Sequence, residues 1–274
     1  MSEALEPRGR VLVVAGSDSG GGAGIQADIK TITVLGGYAA TAITALTAQN
    51  TLGVFGVLPI DPEFVAEQMS VVLADIGADA VKTGMLFSES IINAVASTLE
   101  VRARRLPVIV DPVMVAKGGT ALLEERARLA LLERMLPLAA LLTPNVPEAA
   151  ALTGLTVESV DDMERAADHL LALGASAVLI KGGHLPGDTL VDLLRTADGE
   201  AARFEHPRIV TRSTHGTGCT LAAAIACGVA HGFTLLNAVE RAEDFLVEAI
   251  RTAPGLGKGH GPLNHGHVLG ARLN

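Results

Sequence analysis

The 274 residues carry a formal net charge of −9, with 49% hydrophobic and 19% charged side chains. That balance supplies a core and excludes a disordered chain, while the negative charge opposes nonspecific attraction to nucleic acid or to an anionic membrane. Six Phe, one Tyr and no Trp leave no stacking platform for single strands, so the core falls to Val, Leu, Ile and Ala.

The start, MSEALEPRGR, has no apolar h-region, and the first apolar run covers only 11–15. No stretch approaches the roughly 20 apolar residues of a spanning helix, and a cytoplasmic protein is expected. Short β-branched runs then alternate with helical patterns: VLVVAG (11–16), ATAITALTAQ (40–49), FGVLPI (55–60), AVKTGM (80–85), PVIVDPVM (107–114), ALLTPN (140–145) and AVLIKGG (177–183). Among the segments between them, FVAEQMSVVLADIG follows the helix-start pair Asp61-Pro62, and a second amphipathic run follows Ser88, a good N-cap. The repetition predicts an α/β fold of three layers, with a mainly parallel central sheet covered by helices on both faces.

The rhythm changes once, where two extended runs flank Ala197-Asp198-Gly199-Glu200. Asp-Gly between strand-like runs is a hairpin signal and predicts an antiparallel edge. STHGTGCT then leads into the small-residue helix LAAAIACGVAHGF and the amphipathic NAVERAEDFLVEAIRTA, and the tail PGLGKGHGPLNH has no periodicity. No repeat or linker divides the chain, so 1–274 reads as a single domain. Cys219 and Cys227 lie eight apart in one helical segment, a rise of about 12 Å, so both thiols are expected to be free.

Three groups of residues carry chemistry. GSDSGGGAGIQAD (16–28) is a Gly-rich turn between a strand and a helix. Its Gly22–Ala27 stretch fits the loose dinucleotide pattern GxGxxA, but no acidic residue follows about 20 positions later to take a ribose hydroxyl, and the P-loop pattern is absent. In STHGTGCT (213–220), Gly216 and Gly218 let backbone N–H groups converge on an oxyanion at a helix N-terminus. Cys219 falls in that first turn, where a thiol's pKa is expected to be lowered, whereas Cys227 lies two turns deeper with no polar neighbours and reads as an apolar filler.

The third group follows the strands: Asp111, Asn145 with Glu148, and Lys181. Asn145 and Glu148 suit the waters of a Mg²⁺, and equally match a helix N-cap with its N3 glutamate. Lys181 sits where an ammonium can meet phosphates, or simply be solvated. Together an acceptor-side turn, a lysine, a carboxylate and an anion hole with an adjacent base are the parts of phosphoryl transfer. In the stretch 116–125, Gly118-Gly119 permits a hinge.

From AGSDSGGGAGIQADIKT through ITALTAQNT, VKTGML, VDPVMVAKGG, TPNVPEAAALTG, VLIKGGH and STHGTGCTLAAAIA to GKGHGP, the chain resembles the hydroxymethylpyrimidine/phosphomethylpyrimidine kinases, within the ribokinase-like superfamily. The resemblance implies ATP-dependent phosphorylation of a hydroxymethylpyrimidine and then of its monophosphate in thiamine biosynthesis, with Mg²⁺, by a homodimer. It implies Cys219 as catalytic base, and Gly216 and Gly218 as the anion hole. Lys181 becomes the phosphate lysine and Asp111 an acidic group beside the phosphates. Asn145 and Glu148 become the metal-side pair, with Asn145 and Thr217 on the nucleotide. Gln49 would bond the aminopyrimidine, inside a wall of Gly16, Ala23, Met85 and Val113. A Gln amide meets the adjacent donor and acceptor of that ring at once. A vitamin B6 kinase would share the catalytic half, and a noncatalytic nucleotide-binding regulator would share the fold. Retention of Cys219, Lys181 and both glycines opposes the regulator.

Overall fold

A computed structural model of the chain describes residues 8–115, 119, 122, 123 and 125–270. Among the described residues, nine strands form one sheet: β1 (Arg10–Asp18), β2 (Tyr38–Asn50), β3 (Gly53–Pro59), β4 (Ala80–Thr83), β5 (Val108–Val110), β6 (Leu141–Leu142), β7 (Ala177–Ile180), β8 (Thr189–Thr196) and β9 (Ala201–Pro207). Their order is β3-β2-β1-β4-β5-β6-β7-β8-β9. The six strands from β2 to β7 in that order run parallel.

The helices are α1 (Gly24–Val34), α2 (Pro62–Asp75), α3 (Glu89–Arg102), α4 (Glu125–Ala130), α5 (Val146–Thr153), α6 (Val160–Ala172), α7 (Thr217–Ala230) and α8 (Leu235–Arg251). The period of two along β1 divides the core. Leu12 and Val14 face α2 to α6 through residues such as Met69, Ile92, Leu152 and Leu170. Val11, Val13 and Ala15 face α1, α7 and α8 through Ile32, Leu221, Ile225 and Phe245. Helices thus cover both faces, as the alternating pattern predicts, and each fully buried aliphatic side chain contributes about 1.5–3 kcal/mol.

The caps lie where the sequence puts them. Asp61 accepts from the N–H of Glu63 at the start of α2, and Ser88 accepts from Ile91 at the start of α3. The predicted hairpin joins β8 to β9, with Gly199 at φ 95° in its turn. The predicted antiparallel edge is present, and β3 adds a second by running antiparallel to β2 on the opposite edge. Only two residues separate Asn50 from Gly53, and a parallel return needs a crossover of a dozen or more.

The aperiodic tail is anchored rather than loose. His260 N–H donates to Thr51 O at 2.8 Å, and His215 N–H donates to Gly261 O at 3.1 Å. Among the described residues, no helix is long and apolar enough to cross a membrane.

Candidate active site

Because β1, β2 and β4 to β7 run parallel, their C-terminal ends share one edge, the usual location of ligands in open α/β sheets. Asp18 ends β1, Gln49 lies at the end of β2, Asp111 follows β5, Asn145 follows β6 and Lys181 follows β7. The first turn of α7 meets the same edge. A Cβ added to Gly218 would lie 3.2 Å from Lys181 Nζ and 3.5 Å from Asp111 Oδ2. Three residues far apart in sequence thus converge on the opening of one helix, whose N–H groups and dipole favour an anion.

Asp111 fixes the lysine. Its Oδ1 accepts from Lys181 Nζ at 3.1 Å and from the Thr143 hydroxyl at 3.3 Å. Burial alone would pull the Lys181 ammonium down, but Asp111 and Glu148 carry it above the ordinary lysine value. It therefore stays charged at the opening of α7. Gly216 is required by conformation: its φ is 84°, and a side chain would meet Gly22 O at 1.9 Å. That contact places the Gly-rich turn after β1 directly on the loop that opens α7.

Cys219 occupies the first turn of α7 as expected. The expected lowering of its pKa is wrong for this structure. Burial pushes the thiol up to about 12, and neither Lys82 nor the Gly24 N–H reverses it. The residue is only half-buried by surface, yet dense protein beneath the sulfur removes most of its solvation. Burial outweighs the helix dipole here. Cys227 is buried, but it does have a polar neighbour: His231 Nε2 lies 3.7 Å from its sulfur. Neither cysteine is in a disulfide.

Asn145 and Glu148 form a reciprocal cap. Asn145 N–H donates to Glu148 Oε2 at 2.8 Å, and Glu148 N–H donates to Asn145 Oδ1 at 2.9 Å. Burial raises the Glu148 carboxylate to about 7, with Asp111 adding to the effect and Lys181 opposing it. Among the described residues, no three His, Cys, Asp or Glu side chains are placed to hold a metal by themselves. Mg²⁺ rarely uses such a cage and binds through one or two carboxylates, waters and substrate phosphates. The fit to Mg²⁺ rests on a buried carboxylate that interacts with Lys181 and Asp111 and has lone pairs left over from the cap. Thr217 opens α7, and its hydroxyl donates to Thr214 O at 3.3 Å.

On the acceptor side, a Cβ on Gly16 would lie 2.4 Å from Met85 Cε, so the Met85 side chain covers that glycine. Met85, Ala45 and Leu122 cluster with Val113, Val54 and Val57 into an apolar wall. Ala23 precedes α1, and its N–H donates to Asp18 Oδ2 at 2.8 Å. Gln49 is half-buried beside this wall, with Oε1 accepting from the Thr47 hydroxyl at 3.0 Å. Most of the stretch 116–125, where a hinge at Gly118-Gly119 is expected from the sequence to be permitted, lies outside the described residues.

Two pairs were not singled out by the sequence. Asp18 accepts from the N–H groups of Gly20, Gly22 and Ala23, and its Oδ2 lies 2.8 Å from His215 Nε2. Burial raises this carboxyl, but the bonds from His215, Ala23 and Gly20 together hold it below its usual value. An ionised Asp18 accepts a proton-bearing Nε2, so the Gln49 Nε2 at 3.5 Å from the same nitrogen faces a donor. The Gln49 amide N–H groups consequently gain no acceptor from His215 and can serve a ligand. The other pair is Lys82 with Asp28, both wholly buried, at 3.0 and 2.9 Å to the two carboxylate oxygens.

Fold and chemistry place the chain among the ribokinase-like kinases of small molecules. The sequence model of the phosphomethylpyrimidine kinase family matches residues 18–264, and the chain belongs to that family. It is 49% identical to a hydroxymethylpyrimidine/phosphomethylpyrimidine kinase of Bacillus subtilis, over 93% of this chain and 94% of the other. It is 55% identical to the thiamine biosynthesis bifunctional protein ThiED of Geobacter sulfurreducens, covering 94% of this chain and 52% of that longer protein. This chain thus spans about half of the bifunctional relative. Among solved structures, an ADP complex of Bacillus subtilis pyridoxal kinase superposes with a TM-score of 0.87 at 37% identity, covering 97% of this chain and 99% of that one.

Proposed function

We propose that the chain transfers the γ-phosphoryl group of ATP to the hydroxymethyl oxygen of 4-amino-5-hydroxymethyl-2-methylpyrimidine, and then phosphorylates the monophosphate, in thiamine diphosphate biosynthesis. The observation that carries this reading is the convergence of Lys181 and Asp111 on Gly218, one residue before Cys219. Phosphoryl transfer is mostly positioning and charge neutralisation, and this is a preorganised positive cradle for the transferring group. In the first step the Cys219 thiolate takes the alcohol proton while the oxygen bonds to the γ-phosphorus and the bond to the β-phosphate oxygen breaks, releasing ADP. Lys181, held by Asp111, lies along the phosphates, and the N–H groups at Gly216 and Gly218 receive the equatorial oxygens.

The pyrimidine ring lies against Met85 and Val113, over Gly16 and Ala23, with its amino edge on Gln49. Asn145 and Glu148 would hold Mg²⁺, which would supply neutralisation of the phosphate charge, and Asn145 and Thr217 would flank the nucleotide. One sheet containing all nine strands supports a single kinase domain. The cross-strand pair Leu46 and Leu58, with Phe55 at 70% exposure, supports a homodimer through this sheet edge. The enzyme is read as cytoplasmic, in keeping with bacterial relatives that make a cofactor.

ADP release with ATP and a panel of hydroxymethyl heterocycles tests the assignment. Hydroxymethylpyrimidine should be turned over at low concentration and should compete out pyridoxal. Preference for pyridoxal would replace the assignment with a vitamin B6 kinase, and no ADP release from any acceptor would leave a nucleotide-binding regulator.

Gln49→Leu should raise the KM for the pyrimidine and leave that for ATP near its original value, because a ligand donor and acceptor lose their partners at a cost of about 1–3 kcal/mol. Equal effects on both constants, or on neither, place Gln49 outside the pocket. Glu148→Gln should raise the Mg²⁺ concentration giving half-maximal rate. Glutamine keeps an acceptor for the Asn145 N–H, so the cap survives. An unchanged Mg²⁺ dependence would reduce Glu148 to the cap alone.

A further inference from the structure

Lys82 is the largest of the wholly buried side chains, and it carries a charge. Its strand, β4, is buried at all four positions, and an ammonium there loses its hydration. Burial pulls its pKa down, but Asp28, Cys219 and Asp111 outweigh that and carry it above the ordinary lysine value. Burial pushes Asp28 up to about 6 against the pull of Lys82, so at neutral pH both partners are ionised. A buried ion pair of this kind can often be replaced by apolar residues with no loss of stability, which makes stability alone a weak reason for its presence.

Its location gives a better one. Asp28 lies one turn along α1 from Gly24, whose N–H opposes the rise of the Cys219 thiol. Helix α7, which carries Cys219, packs on both α1 and β4. A Cβ on Gly84, just past the end of β4, would lie 3.0 Å from Lys82 Nζ, so the ammonium points toward the C-terminal edge of the sheet where the site lies. Four charged groups act on the thiol: Lys82 from β4, Asp28 from α1, Asp111 after β5 and Lys181 after β7. Asp111 is engaged with Lys181 at 3.1 Å. Lys82 is likewise paired, with Asp28 at 2.9 Å, and of the two lysines it has the larger effect on the thiol.

We propose that Asp28 and Lys82 are positioning residues for Cys219: the Lys82 ammonium, held in place by both oxygens of Asp28, is the buried counter-charge that stabilises the Cys219 thiolate. Asp28 fixes the ammonium and at the same time moderates it. The inference rests on the reading of Cys219 as the base, but it makes a claim about the thiolate that needs no turnover to test.

The test is the rate of iodoacetamide alkylation at Cys219 in the ligand-free protein near pH 8, resolved from Cys227 by tandem mass spectrometry. The rate follows the thiolate fraction and changes about tenfold for each unit of pKa. Lys82→Met should slow alkylation about tenfold or more, and Asp28→Asn should accelerate it several-fold. A pair that only maintains packing would loosen the site in both variants and move both rates in the same direction, which would overturn the proposal. If Lys82→Met does not fold by circular dichroism, Asp28→Asn decides alone, and a rate that is unchanged or slower overturns it. First-step kinase rates of Cys219→Ala separate the two readings. Opposite alkylation shifts with an unimpaired Cys219→Ala enzyme would retain the charge coupling and remove the base; absent shifts with a disabled Cys219→Ala enzyme would remove only the role of the pair.

Discussion

Gly218→Val is expected to abolish turnover while leaving the fold intact. The added Cβ would stand 3.2 Å from Lys181 Nζ and 3.5 Å from Asp111 Oδ2, in the space proposed for the transferring phosphoryl group. Loss of a single oxyanion donor costs about 10²–10³ in kcat elsewhere, and here the side chain would displace the phosphate from Lys181 as well. Gly218 has no left-handed φ, unlike Gly216 at 84°, so valine there strains no backbone and the helix of small residues behind it is untouched. Far-ultraviolet circular dichroism should match the parent protein while ADP release falls to background. An unaltered kcat would remove the anion hole from the mechanism.

Cys219→Ala is expected to separate the two phosphorylation steps. In the first, the acceptor is an alcohol and needs a base; in the second, it is a phosphate monoester whose second pKa of about 6 leaves it mostly deprotonated at neutral pH. The variant should therefore slow phosphorylation of hydroxymethylpyrimidine by roughly 10²–10⁴, the usual contribution of a positioned base, and slow that of the monophosphate much less. Lys181→Ala should impair both, the second at least as much, because that step brings two anions together.

The pH profile follows from the same chemistry. With the thiol pushed up to about 12 by burial, the thiolate fraction is still rising throughout the neutral and mildly alkaline range. The first-step rate should climb with pH from about 7 to about 9, and Cys219→Ala should flatten that climb. Equal slowing of both steps by Cys219→Ala would make the thiol an element of shape rather than a base.

Legibility in the sequence followed the range of the interaction concerned. Asp61-Pro62, Ser88 and Asp198-Gly199 were readable because caps and turns are settled within a few residues of chain. The second antiparallel edge carried a signal too: the short gap between the runs 40–49 and 55–60 leaves no room for a crossover. Repetition of strand and helix elsewhere obscured it. The polar residues at strand ends were readable because a parallel sheet gathers its C-terminal ends along one edge.

Lys82 with Asp28 and His215 with Asp18 were not readable, since their partners lie 54 and 197 residues away. A lysine in the middle of AVKTGM was the one local irregularity that marked the first pair. Cys219 shows the limit most clearly. Its place in the first turn of a helix was correct, but the pKa depends on how much protein lies under the sulfur, which no local pattern encodes.

The most direct measurement is a time course of products by phosphorus-31 magnetic resonance, starting from hydroxymethylpyrimidine, ATP and Mg²⁺. The predicted result is a monophosphate that rises and then gives way to the diphosphate, with a second equivalent of ADP released for each pyrimidine. ATP consumption that leaves the pyrimidine unmodified, or a monophosphate that accumulates with ATP still present, would contradict the assignment of this chain as the kinase of both steps.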